Sequence, residues 1–306
     1  MEKKVAAIDI GTNSVLLTIA EIDGEKAEPI YESAIITRIG EGLTTTGTFG
    51  SDAINRTLVA LQDYSNICQK KSVDKIFIVG TEAMRRASNA NAFIREVKKR
   101  FGLEIKIISG EREAELSFKA AEKDFGPDLL VVDIGGGSTE LISKQSSGEL
   151  RCTSFQIGSV STQEKYCKSD PINNSDLEGM INYIRAGFTN SSDIGSGITR
   201  LVATAGTATT LAAMKLRLVE YSHSQVHGWA LTRNDVQGII DELKIRTIEE
   251  RKQLPGLEPK RADVILPGGL ILLTIMDKYG FKETTVSDRG VRWGIIYEQL
   301  SGTLGA

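Results

Sequence analysis

Residues 130–141 read LVVDIGGGSTEL and residues 6–17 read AAIDIGTNSVLL. Each stretch has an apolar run ending in Asp-Ile-Gly, a short polar turn that contains a serine, and then a second run. Apolar runs of this length bounded by glycine read as buried strands, and the whole as a hairpin. The same wording, written twice more than a hundred residues apart, predicts a duplicated fold with one such hairpin in each half.

The composition of the turns points to phosphate. Glycine lets the backbone turn sharply and approach a ligand closely. Successive exposed N–H groups in such a turn form an anion-binding concavity. In the second copy the candidate phosphate ligands are Gly135, Gly136, Gly137, Ser138 and Thr139; in the first they are Gly11, Thr12, Asn13 and Ser14. Asp133 and Asp9, at the strand ends, have the wrong charge for phosphate. They have the right charge for a divalent cation that offsets phosphate charge, and Glu140 is placed to assist. Neither turn is a Walker A loop, because no lysine follows the glycines. Neither is a dinucleotide fingerprint, because a second strand follows the turn where that motif requires a helix.

Working outward, each half repeats one order of elements. Strands at 4–10, 14–20 and 27–38 form a meander. A helix follows over 51–71 with Ser51 as N-cap, then a strand at 75–80, a helix ending at Gly102, a strand at 104–109 and a helix over 111–124. Strands at 128–133, 139–144 and 150–157 restart the pattern. Helices near 159–167 and 173–190 come next, then a strand over 199–206 and a helix over 207–216. Helices at 233–245, 259–279 and 290–300 and a strand at 284–288 complete the chain. The fold class expected is α/β, with two domains of mixed sheet flanked by helices. The boundary is placed at Gly126-Pro127, giving domains 1–125 and 126–306, with the helix over 290–300 a candidate to pack back on the N-terminal domain.

The bulk numbers set limits. The chain has 306 residues, long for one core and comfortable for two. The formal net charge of −3 gives no general attraction to nucleic acid or to a membrane surface, so neither is expected as a partner. Three dispersed cysteines without a C-x-x-C pair read as reduced thiols of a cytoplasmic protein. The longest apolar run, 264–276, is interrupted by Pro-Gly-Gly and is shorter than a membrane span.

The two hairpins, with further stretches in order along nearly the whole chain, carry a specific resemblance. These stretches include RIGEGL (38–43), IVGTEAMRRASNA (78–90), IISGEREAELSF (107–118), FQIGSV (155–160), TAGTATTLAA (204–213), RADVILPGGLIL (261–272) and SDRGVRWGIIYE (287–298). The chain resembles the exopolyphosphatase / guanosine pentaphosphate phosphohydrolase (Ppx/GppA) family, in its short two-domain form, within the actin / Hsp70 / sugar-kinase superfamily. The resemblance implies two actin-like (ribonuclease H-like) domains with the active site in the cleft between them. It implies Mg2+-dependent removal of the terminal phosphate from inorganic polyphosphate or from guanosine pentaphosphate, and a homodimer. Longer members carry an additional helical domain related to metal-dependent phosphohydrolases.

The resemblance also assigns roles. Glu113 matches the family's water-activating glutamate. The residues alone leave Glu111, Glu113 and Glu115 open, and with Gly110 as N-cap Glu113 falls at a capping position. Arg85 and Arg86 both follow GTEAM and either suits phosphate oxygens; the resemblance favours Arg85 and leaves Arg86 on the surface. Arg38 is a weaker candidate of the same kind. Gly206 and Thr207, between a strand and a helix N-terminus, make a further anion site, and PGGL (267–270) resembles the adenosine-side motif of ATP-binding relatives. His223 and His227 lack the glutamate of a zincin pair and read as surface or loop residues. The basic stretch 244–261 reads as a solvated face in preference to a guide for a polyanion. Two readings compete with the hydrolase. A sensor that binds phosphate without turnover would not need the full set of Glu113, Asp133, Asp9 and Ser138. A kinase would need an acceptor motif, and none is found.

Overall fold

The computed structural model describes residues 3–145, 147–189 and 198–300. By internal contacts the chain forms two units. One runs from the N-terminus to Ala120 and takes in the segment from Val291 onward; the other is Ala121–Gly290.

The first unit is built on strands β1 (Lys3–Ile10), β2 (Ser14–Asp23), β3 (Lys26–Ile36), β4 (Lys75–Gly80) and β5 (Ile105–Ile107). Between them lie helices α1 (Leu43–Thr46), α2 (Ser51–Lys70), α3 (Glu82–Arg86) and α4 (Ala90–Phe101), and α5 (Gly110–Phe125) follows. The sheet order is β3-β2-β1-β4-β5. β1, β2 and β3 are antiparallel neighbours, while β4 and β5 run parallel to β1. β1 is buried on both faces, which is why its sequence reads as a continuous apolar run. Ala6, Ile8 and Ile10 pack with Leu58, Leu61 and Tyr64 of α2 and Phe93 and Val97 of α4. Ala7 looks the other way, onto Leu116 and Ala120 of α5 and Trp293. Asp9 shares the Ala7 side by the two-residue period of the strand.

The second unit repeats the plan with strands β6 (Leu129–Ile134), β7 (Thr139–Lys144), β8 (Leu150–Phe155), β9 (Arg200–Thr204), β10 (Ala230–Thr232) and β11 (Glu283–Val286). Its helices are α6 (Ser159–Tyr166), α7 (Asn174–Gly187), α8 (Ala205–Leu216), α9 (His223–Val226), α10 (Arg233–Lys244), α11 (Ile248–Arg251) and α12 (Ile265–Tyr279). The order β10-β11-β9-β6-β7-β8 is that of the first sheet read in reverse, with β10 added at one edge. The duplication expected from the two Asp-Ile-Gly stretches is thus a duplication of topology. β10 was not foreseen; three residues are too few to show alternation. The helix expected over 259–279 is divided. Pro259–Arg261 is a single 3-10 turn, and the α-helix starts at Ile265. The buried guanidinium of Arg251 donates to the Ala262 carbonyl at 3.3 Å, which takes that carbonyl out of a continuous helix.

The last helix, α13 (Val291–Leu300), belongs to the first unit. Arg292 donates to the Leu17 carbonyl and to the Thr18 hydroxyl, Trp293 donates its indole N–H to Glu32, and Glu298 receives Arg112. At Gly294 the helix backbone comes so close to α5 that a β-carbon would lie 2.2 Å from the Leu116 carbonyl oxygen.

Candidate active site

The parallel strands put their carboxyl ends on one edge of each sheet, the edge where ligands of open α/β sheets usually bind. In the first unit that edge is followed by residues 11–14, 81–86 and 108–113; in the second, by 135–138, 205–207 and 287–290. Most of the predicted site residues fall in these segments; Asp9 and Asp133 lie at the ends of β1 and β6, and Thr139 and Glu140 open β7.

Both hairpin turns are built alike. Gly11 N–H donates to Ser14 O at 3.0 Å, and Gly135 N–H donates to Ser138 O at 2.9 Å. The remaining turn carbonyls are then gripped by the segment that follows the third strand. In the first unit, Thr37 and Arg38 N–H donate to Asn13 O, and Gly40 N–H donates to Thr12 O. In the second, Ser159 N–H donates to Gly135 O, and Val160 and Ser161 N–H donate to Gly136 O. The first turn of α6 therefore uses its otherwise unpaired N–H groups on the glycine carbonyls. Among the described residues, the amides of Gly136 and Gly137 have no backbone acceptor. One glycine in each gripping segment makes the fit possible. A β-carbon at Gly40 would meet Thr12 Cγ2 at 2.4 Å, and one at Gly158 would meet Gly136 O at 2.3 Å. Arg38 holds a left-handed backbone (φ 53°), a conformation uncommon outside glycine that tends to gather at functional sites.

Each unit also has a buried polar side chain without a hydrogen-bond partner at this edge. Neither end of the Asn13 side-chain amide has one, nor does Thr204 Oγ1. Thr204 stands opposite Asp133 on the neighbouring strand, and on the other side Asp133 faces Glu140, which faces Ser154. Across this sheet the row Ser154–Glu140–Asp133–Thr204 is polar. The equivalent row through Asp9 has Leu16 on one side and Val79 on the other. Glu140 is buried and accepts from Ser154 Oγ at 2.7 Å. Thr139 is also buried, its hydroxyl donating to Ile157 O at 2.6 Å.

The structure separates the three glutamates of SGEREAE. α5 begins at Gly110, one residue earlier than expected, because Ser109 supplies the cap that glycine lacks. Its hydroxyl accepts from Arg112 N–H at 3.2 Å, and its carbonyl accepts from Glu113 N–H. Glu113 is therefore one residue past the capping position read from the sequence. Glu111 sits at the helix start; its own amide and the Ser109 hydroxyl hold its carboxylate below the usual range, and Arg85 adds to this. Glu115 is engaged by Arg112 at 3.0 Å. Glu113 reaches Arg85: Oε2 lies 2.7 Å from Nη1, which also donates to Ile108 O at 2.9 Å. Among the described residues this pair occupies only one of the three guanidinium nitrogens, leaving Nη2 and Nε as donors.

Helix α3, read from the sequence only as a turn, organises this edge. It presents Arg85 to Glu113, and on its other side Glu82 and Arg86. Glu82 Oε1 takes Arg86 Nη1 at 2.7 Å, and Oε2 takes the Thr12 hydroxyl at 2.8 Å. Arg86, expected on the surface, is exposed, and it joins this chain of contacts through Glu82. Glu82 was not singled out from the sequence, where the only signal was its place four residues before Arg86 on a helical face.

The remaining candidates are placed as follows. Gly206 and Thr207 open α8, reached through Ala205 with φ 65°. The Arg261 guanidinium lies where a β-carbon of Gly206 would be, at 2.2 Å, and Gly268 of the PGGL stretch packs against Thr207. His223 pairs with Asp288. His227 accepts from the Asp288 amide through Nδ1 and lies 3.5 Å from Asp124 through Nε2, while Asp124 also receives Arg289. Both histidines are thus tied to aspartates rather than lying loose on the surface.

Among the described residues, no group of three or more His, Cys, Asp or Glu side chains could hold a metal alone. A hard divalent cation bound through one or two carboxylates, with phosphate oxygens and water completing its shell, does not need such a group. The Asp133–Glu140 row with its unpartnered Thr204 hydroxyl, and Asp9 beside the first turn, fit that mode.

Two like mixed sheets, each with a gripped Asp-Ile-Gly turn at the ends of its parallel strands, define an actin-like protein that handles phosphoryl groups. The chain belongs to the Ppx/GppA phosphatase family, whose sequence profile matches residues 18–302. It is 32% identical over 307 residues to the bifunctional 3-dehydroquinate synthase/phosphatase of Fusobacterium nucleatum. That alignment covers 96% of this chain and 46% of the relative, so the chain spans about half of that protein's length. It is 30% identical to exopolyphosphatase 2 of Mycobacterium tuberculosis, over 95% of this chain and 97% of the relative. The crystal structure of the Aquifex aeolicus member of the Ppx/GppA family matches with a TM-score of 0.83 at 32% identity, over 100% of both chains. Phosphatases of this type ordinarily work with a divalent metal ion. No helix among the described residues is long and apolar enough to cross a membrane.

Proposed function

We propose that the chain is an exopolyphosphatase that hydrolyses the terminal phosphoanhydride of inorganic polyphosphate with Mg2+, Glu113 activating the water. The observation that carries this reading is the Arg85–Glu113 pair at 2.7 Å, set by α3 beside the first turn. The pair has the two functions the reaction needs: a planar donor for phosphate oxygens and a carboxylate for water. In the resting pair the guanidinium neutralises Glu113. Arriving phosphate competes for Arg85 and leaves the carboxylate to accept a proton. A water oxygen then bonds to the terminal phosphorus, the bridging P–O bond breaks, the water proton passes to Glu113, and the shortened chain leaves as an anion. The two turns offer backbone amides to the phosphate oxygens. Asp9 in the first unit and Asp133 with Glu140 in the second are the carboxylates that would hold a divalent cation, which would supply charge to offset the phosphates. The family relationship, including the near full-length match to an exopolyphosphatase, supports the substrate class. A homodimer in the cytoplasm is part of the same proposal.

The test is phosphate release by the purified chain with magnesium. Polyphosphate and guanosine pentaphosphate are offered at matched terminal-group concentration, beside Glu113→Gln. The expected result is release from polyphosphate, reduced about 10²–10⁴-fold in the variant, with binding retained. A higher specificity constant for guanosine pentaphosphate would transfer the assignment to that substrate. Near-normal turnover by the variant would place the base elsewhere.

A further inference from the structure

The Thr12 hydroxyl, expected to donate to phosphate, has already given up its hydrogen. A hydroxyl has one hydrogen and two lone pairs. Here the hydrogen goes to Glu82 Oε2 at 2.8 Å, and the other oxygen of that carboxylate is fixed by Arg86 at 2.7 Å. Glu82 is only 6% exposed, so water competes little for its oxygens, and a charge-assisted bond in such a place is strong. Phosphate oxygens of a polyphosphate chain at neutral pH carry no hydrogen and only accept. In this arrangement Thr12 has nothing to give them. What it presents is lone pairs, which suit a water polarised by a divalent cation.

We propose that Glu82 is a positioning residue that makes Thr12 an acceptor for the water shell of the divalent cation, and so sets the cation requirement of the enzyme. This rests on the hydrolase reading above. It changes the role expected of Thr12 from phosphate ligand to outer support of the cation. It also gives α3 two linked tasks. One face aims Arg85 at the candidate base, and the other fixes the hydrogen-bonding polarity of the turn.

Glu82→Gln tests this at nearly constant shape. Arg86 keeps the amide oxygen, so the amide nitrogen faces Thr12 and donates into it, turning the Thr12 hydrogen outward. The Mg2+ concentration for half-maximal phosphate release is expected to rise at least about tenfold, while KM for polyphosphate at saturating Mg2+ changes less than about threefold. Mn2+ binding, followed by loss of the free-ion electron paramagnetic resonance signal, is expected to weaken equally. That measurement uses a Glu113→Gln background with polyphosphate present. Thr12→Val is expected to show the same shift, and Thr12→Ser to stay near wild type. Adding Glu82→Gln to Thr12→Val is expected to add nothing, because both act through one hydroxyl. If Glu82→Gln lowers the melting temperature severely, Thr12→Val reads the same contact without touching the buried carboxylate. An unchanged cation requirement in an active Glu82→Gln enzyme overturns the proposal, as do independent, multiplying effects of the two substitutions. Absence of phosphate release by the wild type would sink the hydrolase reading instead, and Mn2+ binding would still decide the role of Glu82.

Discussion

Gly158→Ala puts the gripped turn to the test. A β-carbon there would lie 2.3 Å from Gly136 O, 2.4 Å from Gly136 C and 2.5 Å from Gly137 N. Non-bonded carbon contacts are optimal at about 3.5–4.0 Å, so turn and helix must separate by about 1 Å. All three atoms are backbone, so no side-chain rotation relieves the contact. The separation breaks the bonds from Val160 N–H (2.8 Å) and Ser161 N–H (3.0 Å) to Gly136 O, at about 1 kcal/mol each. Residual overpacking adds about 1–3 kcal/mol. The total is about 3–5 kcal/mol, which corresponds to a melting temperature roughly 6–20 °C lower for a domain of this size. A substrate-holding turn displaced by about 1 Å is expected to reduce kcat/KM for phosphate release about 100-fold. The assays are circular dichroism melting and phosphate release. Gly40→Ala is the comparison: its clash at 2.4 Å is with the terminal Cγ2 of Thr12, a side chain that can turn at the cost of its bond to Glu82, so both effects should be smaller. Gly238→Ala in α10 is the control. It has no heavy atom within 4 Å of the new carbon and is expected to stabilise by roughly 0.5–1 kcal/mol. A Gly158→Ala protein with wild-type melting and kcat/KM within threefold of wild type would refute the assignment of Gly135–Ser138 as a held binding turn.

Trp293→Ala removes a fully buried indole that fastens α13 to its sheet and donates to Glu32 at 3.0 Å. A loss of about 3–5 kcal/mol is expected in urea unfolding followed by circular dichroism, and a loss under about 1 kcal/mol would show that α13 is not needed for that core. Alkaline stability gives an independent check. Burial pushes the Cys68 and Cys167 thiols up to about 11 from 9.0 and the Tyr64 phenol up to about 12 from 10.0. The folded chain therefore holds protons that the unfolded chain releases, so this contribution is complete below about pH 9 and falls as pH rises through 11. Melting temperature should decline from about pH 9 upward, less steeply in Cys68→Ala; a flat profile to pH 10.5 would contradict the burial of these groups.

Much of the fold was legible in the chain because its signals are local. The two Asp-Ile-Gly hairpins gave the duplication, and period and glycine punctuation gave most strands and helices. Elements of three to five residues, such as β10 and α3, have too few positions to display a period. The start of α5 moved by one residue because a serine hydroxyl caps and a glycine cannot.

Sequence alone determined which residues are candidates for phosphate-handling chemistry: Asp9 and Asp133, the glycine turns, the arginines after GTEAM and the glutamates after SG. Within that set, only the tertiary structure decided the partners. Arg85 meets Glu113 across 28 residues and Thr12 meets Glu82 across 70, separations over which no local pattern records a contact. The clamps at Gly40 and Gly158 likewise depend on a third strand returning to the turn. Chain order sets which side chains exist, whereas hydrogen-bond polarity and charge pairing are set by which atoms the sheet brings within 3 Å of each other.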